Sequence, residues 1–417
     1  MPTRSALLVL AFLLVTVPSA PAATLKVDDD GVQCPGAPYA TLQAAVAAAS
    51  PGDNIKLCPG LYGGQVVISV PLKIYGKAPK AKTCDDLPTL DPTLHSIFDA
   101  PSVTGLGGIG IDVLADGVKI QGLVVRNAGE TGIRTDPANV TFTLKNSVFT
   151  ENANGVYFHS AVGSKSAIKG NCFHENGTGI RTGYGLRDAA ITKNFFVDTN
   201  VGAAIILDQL SAATNDRVTV TGNHSEADST FAVILGTVDS SLAKNTIHGN
   251  ATTGTAIFVG GNNTALSITK NRVTDAGGRG IRFDTQFFPG FPPSGPSKYV
   301  DARYNVIENA GVHGIAIDSG AGEASLISSI IAKNTVTNSG QSGSGDGIRI
   351  EDPTAMGVNY GNRVEFNVIS GSANHDCHDA SVGVGPAGTA NDWQNNTAAT
   401  QSVANLCFTG AANGVAD

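Results

Sequence analysis

The sequence predicts an all-β solenoid of stacked coils, each with three short strands, closed by a cap at either end. Three observations carry that reading. Glycine fills 50 of 417 positions while charged residues make up only 15%, a mix suited to short strands and tight turns. A Gly/Ala–Ile/Val pair recurs at Gly110, Gly132, Gly155, Gly179, Ala204, Ala232, Ala256, Gly280, Gly314 and Gly347, in steps of 22 to 34 residues. An asparagine column keeps phase with it at Asn146, Asn171, Asn194, Asn223, Asn245, Asn271, Asn305, Asn334 and Asn367. Two columns in phase mark an internal repeat, which overrides the two or three domains that length alone suggests.

The elements follow in order. Arg4, the apolar run Ala6–Val17 and the small residues through Ala22 read as a secretory leader over 1–22, too short to span a membrane comfortably. A cap helix and first coil are expected over 23–76, a connecting loop and early coil over 77–107, the repeats over 108–370 and a C-terminal cap over 371–417. Thr41 is a good N-cap for the helix "LQAAVAAA", and Pro51-Gly52-Asp53 stops it. Within the repeats, stretches such as "AITKNFFVDTN" alternate with period two, so the units hold strands. One unit cannot bury its own apolar face, but a stack can. Asparagines in register can hydrogen-bond up the stack and satisfy buried turn amides, so that column is read as structural.

With these features in place, the chain resembles secreted right-handed parallel β-helix proteins of the pectate-lyase-like superfamily. The opening "YATLQAAVAAASPGDNIKLCPGLYGGQVVISVPLKIYG" supports the likeness, because in such proteins a short helix covers the open N-terminal end. The resemblance implies a single right-handed parallel β-helix. It leaves the chemistry open, since that scaffold hosts lyases, hydrolases, epimerases, esterases and proteins without known activity. Cys34 and Cys58 flank the cap helix and are placed to pin it to the first coil. The tail from Cys377 to Cys407 looks like the ending of many secreted bacterial β-helix proteins, which pairs those two. Cys84 and Cys172 are left over and their pairing stays open. Trp393 is expected to pack in the C-terminal cap.

Alternation places the second and fourth residues after each column glycine outward. That face concentrates charge in two groups. One is Arg134, Asp136, Tyr157, His159, Arg181 and Asp208; the other is Arg282, Asp284, Asp318, Arg349 and Glu351. By resemblance to pectate lyases and polygalacturonases, this is the strand face that bears the groove. The second group sits on the rungs with the longest insertions, and the loop "TQFFPGFPPSGPSKY" adds Phe287, Phe288, Phe291 and Tyr299 as sugar-stacking candidates. The paired aspartates and Gly-His-Gly of polygalacturonases are absent, "GVHGI" around His313 is no substitute, and the "DPHD" of related epimerases is missing. His159 reads as a surface histidine, and Asp346 and Asp352 as turn residues. The run His375, Asp376, Cys377, His378, Asp379 offers donors of the zinc or copper type, but a polar turn around a disulfide explains it more simply.

The expectation is an exported protein, secreted or periplasmic, that engages polysaccharide or cell-surface glycan through this face, with Tyr157, Arg181 and the three phenylalanines contributing contacts. The alternative is a lyase, hydrolase or epimerase of an acidic glycan. Arg282 or Arg349 would then be base or clamp, and Asp284, Asp318 and Glu351 acids or Ca2+ ligands. A formal net charge of −8 without a basic patch points away from nucleic acid, and no segment after the leader is apolar enough to span a membrane.

Overall fold

The computed structural model describes residues 21–79, 84, 87, 89–103, 105–136, 141–159, 165–183, 185–198, 202–208, 214–249, 254–285, 295–319, 323–352 and 359–407. Among them, strands of three to five residues stack into three long parallel sheets of fourteen, twelve and twelve strands. The chain visits the first, third and second sheets in turn, so each circuit adds one strand to each. In one rung, for example, Ala167–Lys169, Cys172–His174 and Thr178–Arg181 are the three strands. The architecture is a parallel β-helix. Two further pairs, Asn215–Asp216 with Thr237–Val238 and Ser297–Lys298 with Leu326–Ile327, decorate the connection from the second sheet back to the first.

Packing explains the repeat columns. Inward residues such as Ile133, Val156, Ile180, Phe283, Ile317 and Ile350 are wholly buried. Phe149, Phe173 and Phe196 stack with ring centroids 5.0 Å apart along the axis, near the rung spacing of about 4.8 Å. The glycine column has a steric cause. A Cβ on Gly155 would lie 2.7 Å from the Gly179 carbonyl and 2.8 Å from the Phe173 ring.

The asparagine column is a hydrogen-bonded ladder between the first and third sheets. Starting from Asn171 on the rung before, each Oδ1 of Asn194, Asn223, Asn245, Asn271, Asn305, Asn334, Asn367 and Asn396 accepts the previous asparagine's backbone N–H and side-chain amide at 2.9–3.1 Å. Asn146 is not part of it. It adopts φ 48° at the left-handed position just before the ladder, where Asn is tolerated, and Ser147 takes the ladder place, its N–H donating to Asn171. The Ala232 rung is also shifted by one. Ala232 pairs with Ile205 and Ile234 with Leu207, so Phe231 holds the glycine position and Val233 faces outward. A one-residue slip exchanges the two faces. Ile234 is therefore core, and Leu235 lies on the outer side against Ala203, Val233 and Phe258.

Both ends are closed. Thr41 caps the helix Leu42–Ala48 by accepting from the Ala44 N–H, and Cys34–Cys58 ties this region to the first coil. Trp393 is fully buried at the other end, its indole N–H donating to Asp379 Oδ2 at 2.7 Å, beside Cys377–Cys407. Cys84 pairs with Cys172. Three disulfides are the chemistry of an oxidising compartment. No helix among the described residues is long and apolar enough to cross a membrane.

Candidate functional site

The second sheet presents one continuous outward column: Val67, Asp112, Arg134, Tyr157, Arg181, Ile206, Val233, Phe258, Arg282, Ala316, Arg349 and His378. Its middle is apolar and separates two polar groups. Of the residues expected to act, Arg282, Asp284, Asp318, Arg349 and Glu351 do come together. Phe287, Phe288 and Phe291 lie outside the described residues. Tyr299 is 64% exposed and sits where the chain turns into the first sheet, away from this face.

Short strands place the group. In register, Phe283 pairs with Ile317 and Ile317 with Ile350, so Asp284, Asp318 and Glu351, each next in sequence, line up on three consecutive rungs. Guanidiniums lace the row. Arg282 Nε donates to Asp318 Oδ2 at 2.7 Å while its Nη2 holds Asp284. Arg279 Nη2 lies 3.1 Å from the same Asp318 oxygen. Arg349 donates through Nε and Nη2 to Glu351 Oε1 at 2.9 and 2.6 Å and through Nη1 to Asp346 Oδ2 at 2.9 Å. Arg282 also lies over the Phe258 ring, 5.6 Å from its centroid.

Three of these residues escaped sequence reasoning: Arg279, His313 and Asp346. Arg279 and His313 immediately precede the column glycines, and so does Asp346, one step before Gly347. Alternation does not find them: each lies three residues before the outward column position, an odd offset that a period of two assigns to the inward face. Asp346 is not a simple turn residue. It is fully buried and surrounded by Arg349, His313, His375 and His378. His375 and His378 both face outward and meet it, whereas Asp376 and Asp379 turn in to cap backbone amides and Trp393. The polar run at the disulfide is thus divided between two faces.

The electrostatics are uneven. Burial pushes the Asp318 carboxyl above the usual carboxylate range. Arg279 and Arg282 pull against that shift, and the neighbouring Glu351 and Asp284 add to it. One Asp318 oxygen, Oδ1, is buried without a hydrogen-bond partner. Burial also raises Asp346, but the Arg349 bond and the adjacent His378 and His313 outweigh it and hold that carboxyl low. Burial, helped by Arg279 and Arg349, takes His313 down to about 4. Its Nδ1 accepts the Asp346 backbone N–H at 2.9 Å, as a neutral ring does. The carboxylate row does not suit Ca2+. Each acid already accepts from a guanidinium, and Arg279, Arg282 and Arg349 oppose a further cation.

The other polar group is more locked. Arg134 grips Asp112 through two bonds of 3.0 and 2.7 Å, and Arg181 binds Asp208 at 2.9 Å. Tyr157 meets His159 edge-on at 4.3 Å. His159 is not a surface residue: it is 2% exposed, and burial lowers it to about 4.

A family profile described as a right-handed beta helix region matches residues 107–266 and, again, 210–369. The chain belongs to the right-handed β-helix family. Among curated proteins nothing matches this β-helix protein. Solved structures similar to it include DFA-IIIase from Arthrobacter chlorophenolicus A6 without its lid, in complex with GF2. That match has 16% identity, covers 84% of this chain and 95% of the other, and has a TM-score of 0.54. The catalytic unit of a thermostable GH87 alpha-1,3-glucanase from Streptomyces thermodiastaticus strain HF3-3 matches at 15% identity over 88% of this chain and 67% of that one, with a TM-score of 0.53. At such identities the likeness is one of fold.

Proposed function

We propose that this β-helix protein acts on a polysaccharide laid along the outward face of the second sheet, and that Asp318 handles the proton. The observation that carries the reading is the in-register row Asp284–Asp318–Glu351, with Asp318 buried, biased towards its protonated form and left with an unbonded oxygen. A buried carboxyl biased this way beside a second carboxylate is the pairing that glycoside cleavage needs: a proton donor and a group that supports the sugar cation or activates water. Side chains on adjacent rungs start about 5 Å apart, which favours the close-set retaining arrangement. Glu351, more exposed than Asp318, is the second carboxylate. Val233 and Phe258 are buried beneath Ile206 and Leu235, and those two partly buried side chains are what the apolar middle of the face offers to a sugar ring. The same fold carries an alpha-1,3-glucanase, so a glycan along such a face is physically reasonable.

A second reading has its own support. All three arginines are already clamped by carboxylates of the chain, so none is free to serve as the base of a lyase or to grip a substrate carboxylate. On that reading the row is an ion-pair ladder on a glycan-binding surface without turnover.

The test is a panel of neutral glucans, fructans and uronic-acid polysaccharides incubated with the mature protein, following reducing ends and unsaturated products. New reducing ends, lost in Asp318→Asn and Glu351→Gln while the variants stay folded, support hydrolysis. Binding without product on every polymer moves the assignment to the second reading. No binding at all overturns both.

A further inference from the structure

We propose that Asp346, His375 and His378 form a binding site for one Zn2+-like divalent ion at the C-terminal end of the outward face. The proposal rests on the meeting of three side chains from two rungs and does not depend on the glycan reading.

The donors suit such an ion. Two imidazoles and one carboxylate are borderline nitrogen and oxygen ligands, the set that zinc takes when three protein ligands leave a fourth place for water or another ligand. One donor atom from each residue lies within 4.8 Å of the others. His375 Nδ1 is 3.3 Å from Asp346 Oδ1, and His378 Nδ1 is 3.7 Å from Asp346 Oδ2. A tetrahedral ion with bonds of about 2.0–2.1 Å needs donors roughly 3.4 Å apart. The observed spacing is therefore within reach of small side-chain rotations.

The surroundings hold the donors ready. Asp346 is fully buried, and its oxygens are oriented by the Arg349 guanidinium and by the His375 backbone N–H at 3.1 Å. Outer partners of this kind fix a metal-binding carboxylate. Arg349 Nη1 occupies Asp346 Oδ2 while Glu351 offsets its charge through Nε and Nη2, so Oδ1, on the His375 side, is the oxygen clear of the guanidinium. His378 Nδ1 is buried and makes no hydrogen bond, an unmet donor or acceptor that costs stability unless something binds it. His313 is not needed as a ligand, since its Nδ1 is taken by the Asp346 N–H. All six cysteines are in disulfides, so no thiolate competes for the ion.

His248 supplies the comparison. It lies 2.6 Å from Glu226 and 3.1 Å from Asp275, through different ring nitrogens, and is about half exposed. That is an ion pair on the surface, with no converging third donor among the described residues.

The experiment uses the full mature chain without a histidine tag. After chelator treatment and dialysis, Zn2+ is titrated by calorimetry, and retained metal is measured by mass spectrometry. One equivalent is expected in the wild type, with affinity lost at least tenfold in His375→Ala and in His378→Ala but unchanged in His248→Ala. Zn2+ is also expected to raise the unfolding temperature of the wild type and not that of the two ligand variants. Co2+ bound to the wild type should show the strong visible bands of a four-coordinate site, a readout that does not depend on how the variants fold. No stoichiometric Zn2+ in the wild type overturns the proposal. So does uptake that survives in both ligand variants, or uptake that disappears in His248→Ala.

Discussion

Arg282 bridges two rungs of the stack: its Nε donates to Asp318 Oδ2 at 2.7 Å while its Nη2 holds Asp284 on its own rung. The planar fork makes both contacts at once, and a lysine ammonium on a flexible stem cannot. Arg282→Lys keeps the charge and loses the geometry. Its expected cost to folding is about 1–2 kcal/mol. Glycan turnover should fall far more, by about a hundredfold, because Asp318 loses its orientation. Steady-state kinetics beside denaturant unfolding separates the two effects; equal modest losses in both would argue that the pair is only structural.

The asparagine ladder carries a sharper stability test. Asn245 accepts from the backbone N–H and side-chain amide of Asn223, and donates to Asn271 Oδ1 and the Val220 carbonyl. Asn245→Ala orphans several buried groups, at about 1–3 kcal/mol for each one left unsatisfied. Asn146, exposed at φ 48°, carries none of these bonds. Asn146→Gly should be nearly neutral in the same urea titration. Equal losses at both positions would mean that the ladder starts at Asn146 after all.

Two buried histidines set the acid limit of the fold. Burial holds His159 and His313 down at about 4, against about 6.5 for an unfolded histidine. Between these values the unfolded chain binds protons that the folded chain refuses. Stability is therefore complete above pH 6.5 and lost as pH falls towards 4, by about 1.4 kcal/mol per pH unit for each histidine. His159→Gln should flatten roughly half of that slope. Unfolding temperature measured across this range checks it, and a wild-type slope unchanged by the substitution would rule His159 out as a source.

The Cys84–Cys172 bridge joins residues 88 apart and sits in a small cluster with Ile97, Val124, Val148 and Val197. A loop of that size restricts the unfolded chain by about 4–5 kcal/mol in the chain-entropy account. The double variant Cys84→Ala/Cys172→Ala should melt clearly lower while the repeats keep their far-ultraviolet signature. Collapse of the whole spectrum at room temperature would show that this bridge is needed for the fold itself.

Much of this was legible in the residues. The columns of glycine and asparagine, the Thr41 cap and the alternation that exposes Arg282 and Arg349 all follow from local periodicity. The errors were local too. Asn146 and Ser147 exchange the left-handed and ladder positions, and both types are small and polar, so pattern alone could not choose between them. At Ala232 the pattern points the wrong way: Ala232-Val233 matches the small–branched pair, but the register puts Phe231, which does not, in the place that glycine holds elsewhere. His159 was misread because an outward position in one strand can still be covered by what flanks it, here Tyr157.

The sequence by itself determined the coil, since each unit's inward and outward residues depend on a period of two that any reader can count. Only the tertiary structure decided which charges meet. Asp346 finds His375 and His378 from 29 and 32 residues away, and Asp318 finds Arg279 and Arg282 from the rung before. Stacking converts those separations into one rung, and insertions of different length between rungs hide that register from the linear pattern. The same packing removes water from Asp318, and its protonation then depends on burial and neighbours from adjacent coils, which no single strand contains.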